Sequence, residues 1–450
     1  MHIGFVSTRF SGTDGVTLES SKWARLFQRR GFETYWFAGE LDRDPVKGYL
    51  APEAHFQHEA NQAVNAAILG HRRRPADVTE RIHALRAILK KHLYRFLRKY
   101  GIDLLVAENI LSLPMQIPLG LAMTEVIAET GIPTIAHHHD FFWERERYRV
   151  NAAGDYLQTA FPPRLPGVAH VVINTAAREE MARRTGLAAT VVPNGLDFAS
   201  PPAIDWEAVR AFRDFAGLAP DDTVVLQPTR IVQRKGIEQA VNLVRALNRP
   251  ACKLVISHPA GDEGYGYARW IERYARSQAI DLVMVDAEID DPWGTHTLEC
   301  PRFSLNDVYP CADVVTFPSL CEGFGNALLE AIYFRKPLLV NRYATFIQDI
   351  EPLGFQMAGI DGYLTEAAVR QVSDWLDDDE GRNAVTEHNY RIARHHFSYE
   401  RLQEKLDLVM EELSFGRPAP VTARGPESLE PSFDPTTSDA EHSMWAKACN

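Results

Sequence analysis

Short runs of β-branched and apolar residues alternate with segments of helical period along most of this chain. That alternation dictates a parallel α/β architecture, because strands buried on both faces need crossover helices to cover them. A first series of strands is predicted at Ile3–Ser7, Thr34–Phe37, Ile102–Ala107, Pro133–His137 and Val168–Ile173. A second is predicted at Thr223–Gln227, Lys253–Ser257, Leu282–Val285, Val314–Phe317 and Pro337–Asn341. Pro193-Asn194-Gly195 between the two series reads as a turn. Two doubly wound, Rossmann-like units joined near Pro193–Pro202 are the economical solution, and 450 residues suffice for two large domains. The expected division is 1–193, with a basic helical insertion at about 41–100, then 194–385, a terminal helix over 386–413 that crosses back to brace the first unit, and a Pro/Ser-rich tail over 414–450.

Composition then removes whole classes of function. A net charge of −12 argues against a polyanion as the main partner, so no nucleic acid is expected. The longest apolar runs are strand-sized and far below the roughly 18 residues needed to cross a bilayer. The chain opens directly as a strand, with no charged and apolar leader, so a cytoplasmic location is expected. Five cysteines (Cys252, Cys300, Cys311, Cys321 and Cys449) lack C-x-x-C spacing and outline neither a disulfide framework nor a zinc knuckle. One segment opposes the acidic balance. Residues 71–100 hold ten Lys/Arg against Asp77 and Glu80, with Ile82, Leu85, Ile88, Leu89, Leu93 and Phe96 recurring at helical spacing. A basic amphipathic helix of this kind suits an anionic acceptor, a peripheral membrane contact or a solvated face. Nothing in the sequence fixes an oligomeric state.

The residues able to carry chemistry follow predicted strands. Phe317-Pro318-Ser319-Leu320-Cys321-Glu322-Gly323-Phe324-Gly325-Asn326 runs from a strand through a glycine turn into a helix that begins near Asn326. Its backbone N–H groups suit a phosphate or a sugar hydroxyl, and Glu322 and Glu330 can grip separate ends of one ligand. Each glutamate alone would better suit a solvated carboxylate; the pair is what points to a site. Arg230 and Lys235 flank a helix start near Gly236, a good grip for a diphosphate. Gly12 and Gly15 form a glycine loop between the first strand and the helix Leu18–Arg30, at the carboxyl edge where open α/β sheets bind ligands. His137-His138-His139-Asp140 invites a metal. Adjacent residues of an extended chain point to alternate sides, however, and no distant ligand cluster joins them, so no metal site is expected.

Together these motifs resemble the retaining glycosyltransferases of family 4, whose GT-B fold faces two Rossmann-like domains across a cleft. The resemblance covers roughly 1–413 and is most specific at Glu322 and Glu330 with seven residues between them. It implies donor contacts from Gly12, Gly15, Arg230, Lys235, Glu322, Gly323, Phe324, Gly325, Asn326 and Glu330. Glu322 would meet the sugar hydroxyls, Glu330 the ribose, and Arg230 with Lys235 the diphosphate. His139 resembles the family histidine near the transferred sugar, with His137 or His138 as alternative registers; His139, Arg230, Lys235 and Glu322 form the implied catalytic set. The first half would face the acceptor, through His137, Asp140, Trp143, Arg145 and Arg147. The implied co-substrate is a GDP- or UDP-linked sugar, with no obligatory metal and magnesium at most stimulatory, and the implied partner is a small anionic acceptor, a phosphorylated sugar or a glycerate. A lipid acceptor at a membrane, and an epimerase or phosphorylase on the same fold, are the alternatives. The run from Glu108-Asn109 to Pro114-Met115, followed by the His-Asp-Phe-Phe-Trp-Glu-Arg segment, is similar to enzymes that build mannosylglucosyl-phosphoglycerate-type solutes.

Overall fold

A computed structural model of the chain describes residues 1–12, 14–258, 264–285, 288–290 and 302–415. Its first half runs β1 (His2–Val6), α1 (Gly15–Arg29), β2 (Glu33–Ala38), β3 (Gly48–Leu50), α2 (Glu59–Ile68), α3 (Ala76–Tyr100), β4 (Leu104–Glu108), α4 (Ile117–Thr130), β5 (Thr134–His138), α5 (Gly154–Ala160), β6 (Val168–Val172), α6 (Thr175–Thr185) and β7 (Thr190–Val191). The second continues through α7 (Trp206–Phe215), β8 (Thr223–Gln227), α8 (Ile237–Leu247), β9 (Cys252–Ile256), α9 (Gly266–Ser277), β10 (Asp281–Met284), β11 (Glu288–Asp290), β12 (Arg302–Ser304), α10 (Leu305–Val308) and β13 (Val314–Phe317). It ends with α11 (Asn326–Tyr333), β14 (Leu338–Asn341), β15 (Ala358–Ile360), α12 (Glu366–Asp377), α13 (Asp379–Phe397) and α14 (Tyr399–Phe415). The tail expected over 414–450 lies, beyond Phe415, outside the described residues.

Two parallel sheets result, in the orders β3-β2-β1-β4-β5-β6-β7 and β10-β9-β8-β13-β14-β15, with β11 and β12 paired separately. Every predicted strand is present. β3, β7, β11, β12 and β15 were not predicted, because strands of two or three residues carry too little apolar pattern to register. α1 begins at Gly15 instead of Leu18, since Asp14 caps it: its Oδ1 accepts from the Val16 and Thr17 amides at 3.1 and 3.2 Å.

The helix predicted over the last stretch is two helices, because Ser398 is extended (φ −78°, ψ 162°). At that break the backbone runs beside the other passage between the halves. Leu196 N donates to Phe397 O at 2.9 Å, and Tyr399 N donates to Leu196 O at 3.1 Å. α14 then lies over the first sheet, its Tyr399, Leu402, Leu406, Val409 and Leu413 sharing a core with Phe5, Trp23, Val106 and Val171.

The apolar face of α3 is likewise core. Leu85, Leu89, Leu93 and Phe96 pack with Val126 and Ile127 of α4, and of the apolar residues read from the sequence only Ile88 is exposed. Arg86 and Lys90 pair with Glu125 and Glu129 of α4. The face that would enter a lipid surface is therefore occupied, and any membrane contact falls to exposed charges such as Lys91, Arg95 and Arg98. Among the described residues, no helix is long and apolar enough to cross a membrane.

Candidate active site

In each sheet the chain reverses its winding direction between two central neighbours, β1 with β4 and β8 with β13. Crevices at the carboxyl ends of such strands are where open α/β sheets bind ligands. The loops after β1, β8 and β13, and the one after β5 beside β4, carry nearly all the residues that the sequence singles out.

On the second sheet, the loops after β8 and β13 are locked together. Leu320 N donates to Arg234 O at 2.8 Å. Gly236, with φ +59°, packs so closely that a Cβ would lie 2.5 Å from Pro318 O. This contact sets Lys235 Nζ against Glu322 Oε1, while Arg234 Nη1 reaches Glu322 Oε2 at 3.3 Å. Lys235 is buried, and burial lowers its ammonium pKa against the opposing pull of Glu322. Arg230 is exposed, and its charge acts on Lys235 and on His258, whose imidazole is pushed down to about 4 by burial and then by these two cations. Gly325, at φ +111°, starts α11, and a Cβ there would meet Tyr343 Oη at 2.6 Å. The Tyr343 hydroxyl donates to Phe324 O at 2.5 Å and Thr345 Oγ1 to Glu322 O at 3.0 Å, so the turn is held from below. One turn into α11, Glu330 accepts from the Tyr309 hydroxyl at 2.8 Å.

On the first sheet, β4 and β5 pair in register with Glu108 opposite His137. His137 Nδ1 and His139 Nε2 both donate to Glu108 Oε2, at 3.0 and 3.1 Å. Burial pushes the Glu108 carboxyl up, but the two imidazoles outweigh it and hold it down to about 2. Burial lowers His137 on balance, whereas the hydrogen bond and charge of Glu108 outweigh burial at His139 and raise it. This arrangement corrects two expectations. A distant carboxylate does join the histidines, because parallel pairing brings Glu108 to the face that His137 and His139 share. His137 is not open to an acceptor: it is fully buried and stacked on Trp23, with ring centroids 4.0 Å apart. His138 points to the opposite face, where its Nε2 meets His170 Nδ1 at 3.0 Å. Of the three registers, only His139 retains exposure, 9% of its side chain. Glu108, His137 and His139 are also the one group among the described residues whose donor atoms could converge on a metal ion, but each imidazole is already paired with the carboxylate.

The two halves meet at these loops. A Cβ on Gly323 would lie 3.6 Å from His139 O and 3.0 Å from Ile173 Cδ1. Asn174 Nδ2 donates to Gly323 O at 2.7 Å. A Cβ on Gly15 would lie 4.0 Å from the amide nitrogen of Asn326, whose side-chain oxygen accepts from Asn194 Nδ2 at 2.6 Å. The glycine loop is pinned by Gly12 N donating to Asp42 at 2.8 Å. Asp140 pairs with Arg145 at 2.7 Å, and the charge of Arg145 reaches Cys321. Trp143 instead stacks on Phe141 beneath Arg184, and Arg147 lies over the Tyr148 ring; neither has a described contact with the His139 group. Arg234, Tyr309, His258 and Glu108 were given no role from the sequence. Arg234 stands inside the Arg230–Lys235 element, whereas the other three are recruited by pairing across strands and loops and carry no local signal.

Two Rossmann-like sheets presenting their switch points to one cleft, with paired carboxylates and a cationic loop on one wall, define the class of GT-B glycosyltransferases. The family described as Glycosyltransferase Family 4 matches residues 21–200, and that described as Glycosyl transferases group 1 matches 295–392. A mannosylglucosylglycerate synthase of Thermotoga maritima is 31% identical over 443 residues, covering 90% of this chain and 99% of that protein. Another from Petrotoga mobilis is 31% identical over 385 residues, covering 80% of this chain and 86% of its own. A glycosyltransferase of Rickettsia africae superposes with a TM-score of 0.63 at 12% identity, covering 92% of this chain and 98% of that one. Anabaena HepE, solved with UDP and glucose, superposes at 0.60 with 14% identity, covering 92% of this chain and all of that one. The chain belongs to the family 4-type glycosyltransferases of GT-B fold.

Proposed function

We propose that the chain moves a hexosyl group, with its anomeric configuration retained, from a GDP- or UDP-linked sugar to a hydroxyl of a small anionic acceptor of the glycerate type. The names of the two relatives, shared over 90% and 80% of the chain, support a mannosyl group as cargo and a glucosyl glycoside of glycerate as acceptor. The observation that carries the reading is the pairing of Lys235 with Glu322, under the charge of Arg230, at the switch point between β8 and β13, with Gly323 of the same turn facing the His139 carbonyl beyond β5.

In this reading residues 194–385 hold the nucleotide sugar and 1–193 the acceptor. As the bond to the anomeric carbon lengthens, negative charge grows on the leaving diphosphate, where Arg230 and Lys235 meet it. Lys235 exchanges the Glu322 carboxylate for phosphate, which frees Glu322 for the sugar hydroxyls. The turn Gly323–Asn326 supplies backbone donors, Glu330 holds the ribose, and Gly12 and Gly15 keep the opposite wall close to the phosphates. His139 lies beside the transferred sugar, and Arg145 with Asp140 takes the acceptor side. A leaving phosphate oxygen can accept the acceptor proton on the same face, so no protein nucleophile is needed. Side-chain cations do the neutralising, which leaves magnesium at most a stimulant.

The test is a panel of nucleoside diphosphate sugars with and without glycerate, its glucoside and phosphorylated sugars. Nucleoside diphosphate release is expected only with an acceptor, and proton NMR of the product is expected to show the donor's anomeric configuration. Release without acceptor, or an inverted product, would overturn the reading.

A further inference from the structure

The loop after β4 does more than close a sheet. Glu108 is fully buried, and an ionised carboxylate can only accept hydrogen bonds. Both ring nitrogens that face it must therefore carry protons: Nδ1 of His137 and Nε2 of His139. The hydrogen bond at one imidazole nitrogen settles the state of the other. His139 is thereby left with Nδ1 as its working nitrogen. His137, stacked on Trp23 at 16° between the planes, lies against the His139 ring at a tilt of 47°, with the two imidazole centroids 4.3 Å apart.

The next residue secures the backbone. Asn109 adopts the left-handed conformation, φ +61°, which a non-glycine residue seldom takes. That turn aims its side-chain oxygen at three donors: His139 N at 3.1 Å, Asp140 N at 3.2 Å and Ser112 Oγ at 3.1 Å. The clamp fixes the same segment whose carbonyl, His139 O, approaches Gly323 across the cleft.

We propose that Glu108 and Asn109 are positioning residues for the transfer reaction, Glu108 fixing the tautomer and ring of His139 and Asn109 fixing the chain at His139–Asp140. The proposal rests on the transferase reading and adds to it the pair that sets the geometry of its sugar-facing histidine.

Two measurements test it. In the unaltered chain, nitrogen-15 NMR of the histidine side chains, with His139 assigned by comparison with His139→Gln, should show a proton on Nε2 of His139; a proton on Nδ1 alone would overturn the proposal. In kinetics, Glu108→Gln should lower kcat by about tenfold to a hundredfold with the donor KM nearly unchanged, as loss of a partner that orients an active group does. Asn109→Gly keeps the backbone conformation but removes the acceptor oxygen and should also lower kcat, whereas Asn109→Asp restores the oxygen and should recover most of it. Equal activity of Asn109→Gly and Asn109→Asp, or an unchanged kcat in Glu108→Gln, would overturn it. So would one equivalent of a transition metal copurifying with the unaltered chain and lost in Glu108→Gln. If the unaltered chain transfers no sugar, the functional reading fails, while the NMR result still decides the tautomer.

Discussion

At the scale of single residues, the proposed transfer has groups of the site exchange their present partners for the ligand. Lys235 is buried beside Glu322, which keeps Arg234 at 3.3 Å as a cationic partner when Lys235 is replaced by alanine. Lys235→Ala is expected to slow single-turnover transfer roughly a hundredfold or more, about 2.7–4 kcal/mol of barrier, with the melting profile little changed. The histidines behind the site give a pH signature. Burial pushes His170, hydrogen-bonded to His138, down to about 4, so the unfolded chain binds the proton first as pH falls. Stability contributed by the neutral ring is whole above the ordinary histidine range and drains away between about pH 6.5 and about pH 4, costing about 2 kcal/mol from pH 7 to about pH 5. Urea unfolding at those two pH values should show the loss, and His170→Asn should reduce it, leaving the part that other depressed histidines, His138 and His258 among them, contribute. The sequence points to Arg230, Lys235, Glu322 and Glu330 as candidates because each stands at a fixed offset from a strand end or helix start. It hid Glu108, whose meaning depends on which strand pairs with which, and it left open which of three histidines reaches the cleft, a matter of pleat phase.

At the scale of elements, α3 separates what periodicity reveals from what it does not. Its apolar spacing announced the helix, but the same spacing fits a membrane surface and a protein core equally well. α4 decides the matter by covering that face and supplying Glu125 and Glu129 to the cations. Leu89→Ala should therefore cost about 2–5 kcal/mol in denaturant unfolding, as deletion of a fully buried leucine does, whereas Lys91→Ala on the solvent side should change stability by less than about 0.5 kcal/mol. The same packing predicts that vesicles of anionic lipid fail to sediment the chain at physiological salt. Strand readings succeeded for strands of four residues or more, the edge strand β10 included, where apolar runs are long enough to register, and failed at β3, β7, β11, β12 and β15, where two or three residues leave backbone pairing alone to define the strand.

At the scale of the whole molecule, α14 makes the first sheet dependent on the end of the chain. A chain ending at Ser398 would uncover Phe5, Trp23 and Val171, and it should melt at a markedly lower temperature and bind a hydrophobic dye in the native state. Arg29 of α1 adds a direct tie, pairing at 2.6 Å with Asp197, which is almost fully buried. The passages at Leu196 and Ser398, zipped by two backbone hydrogen bonds, have a consequence for movement. A book bound along one edge can open only by swinging about its spine, and this chain has such a spine. Sliding of the halves past each other would break both bonds, whereas rotation about that line spares them, so labels placed far from it should report large excursions and labels beside it almost none.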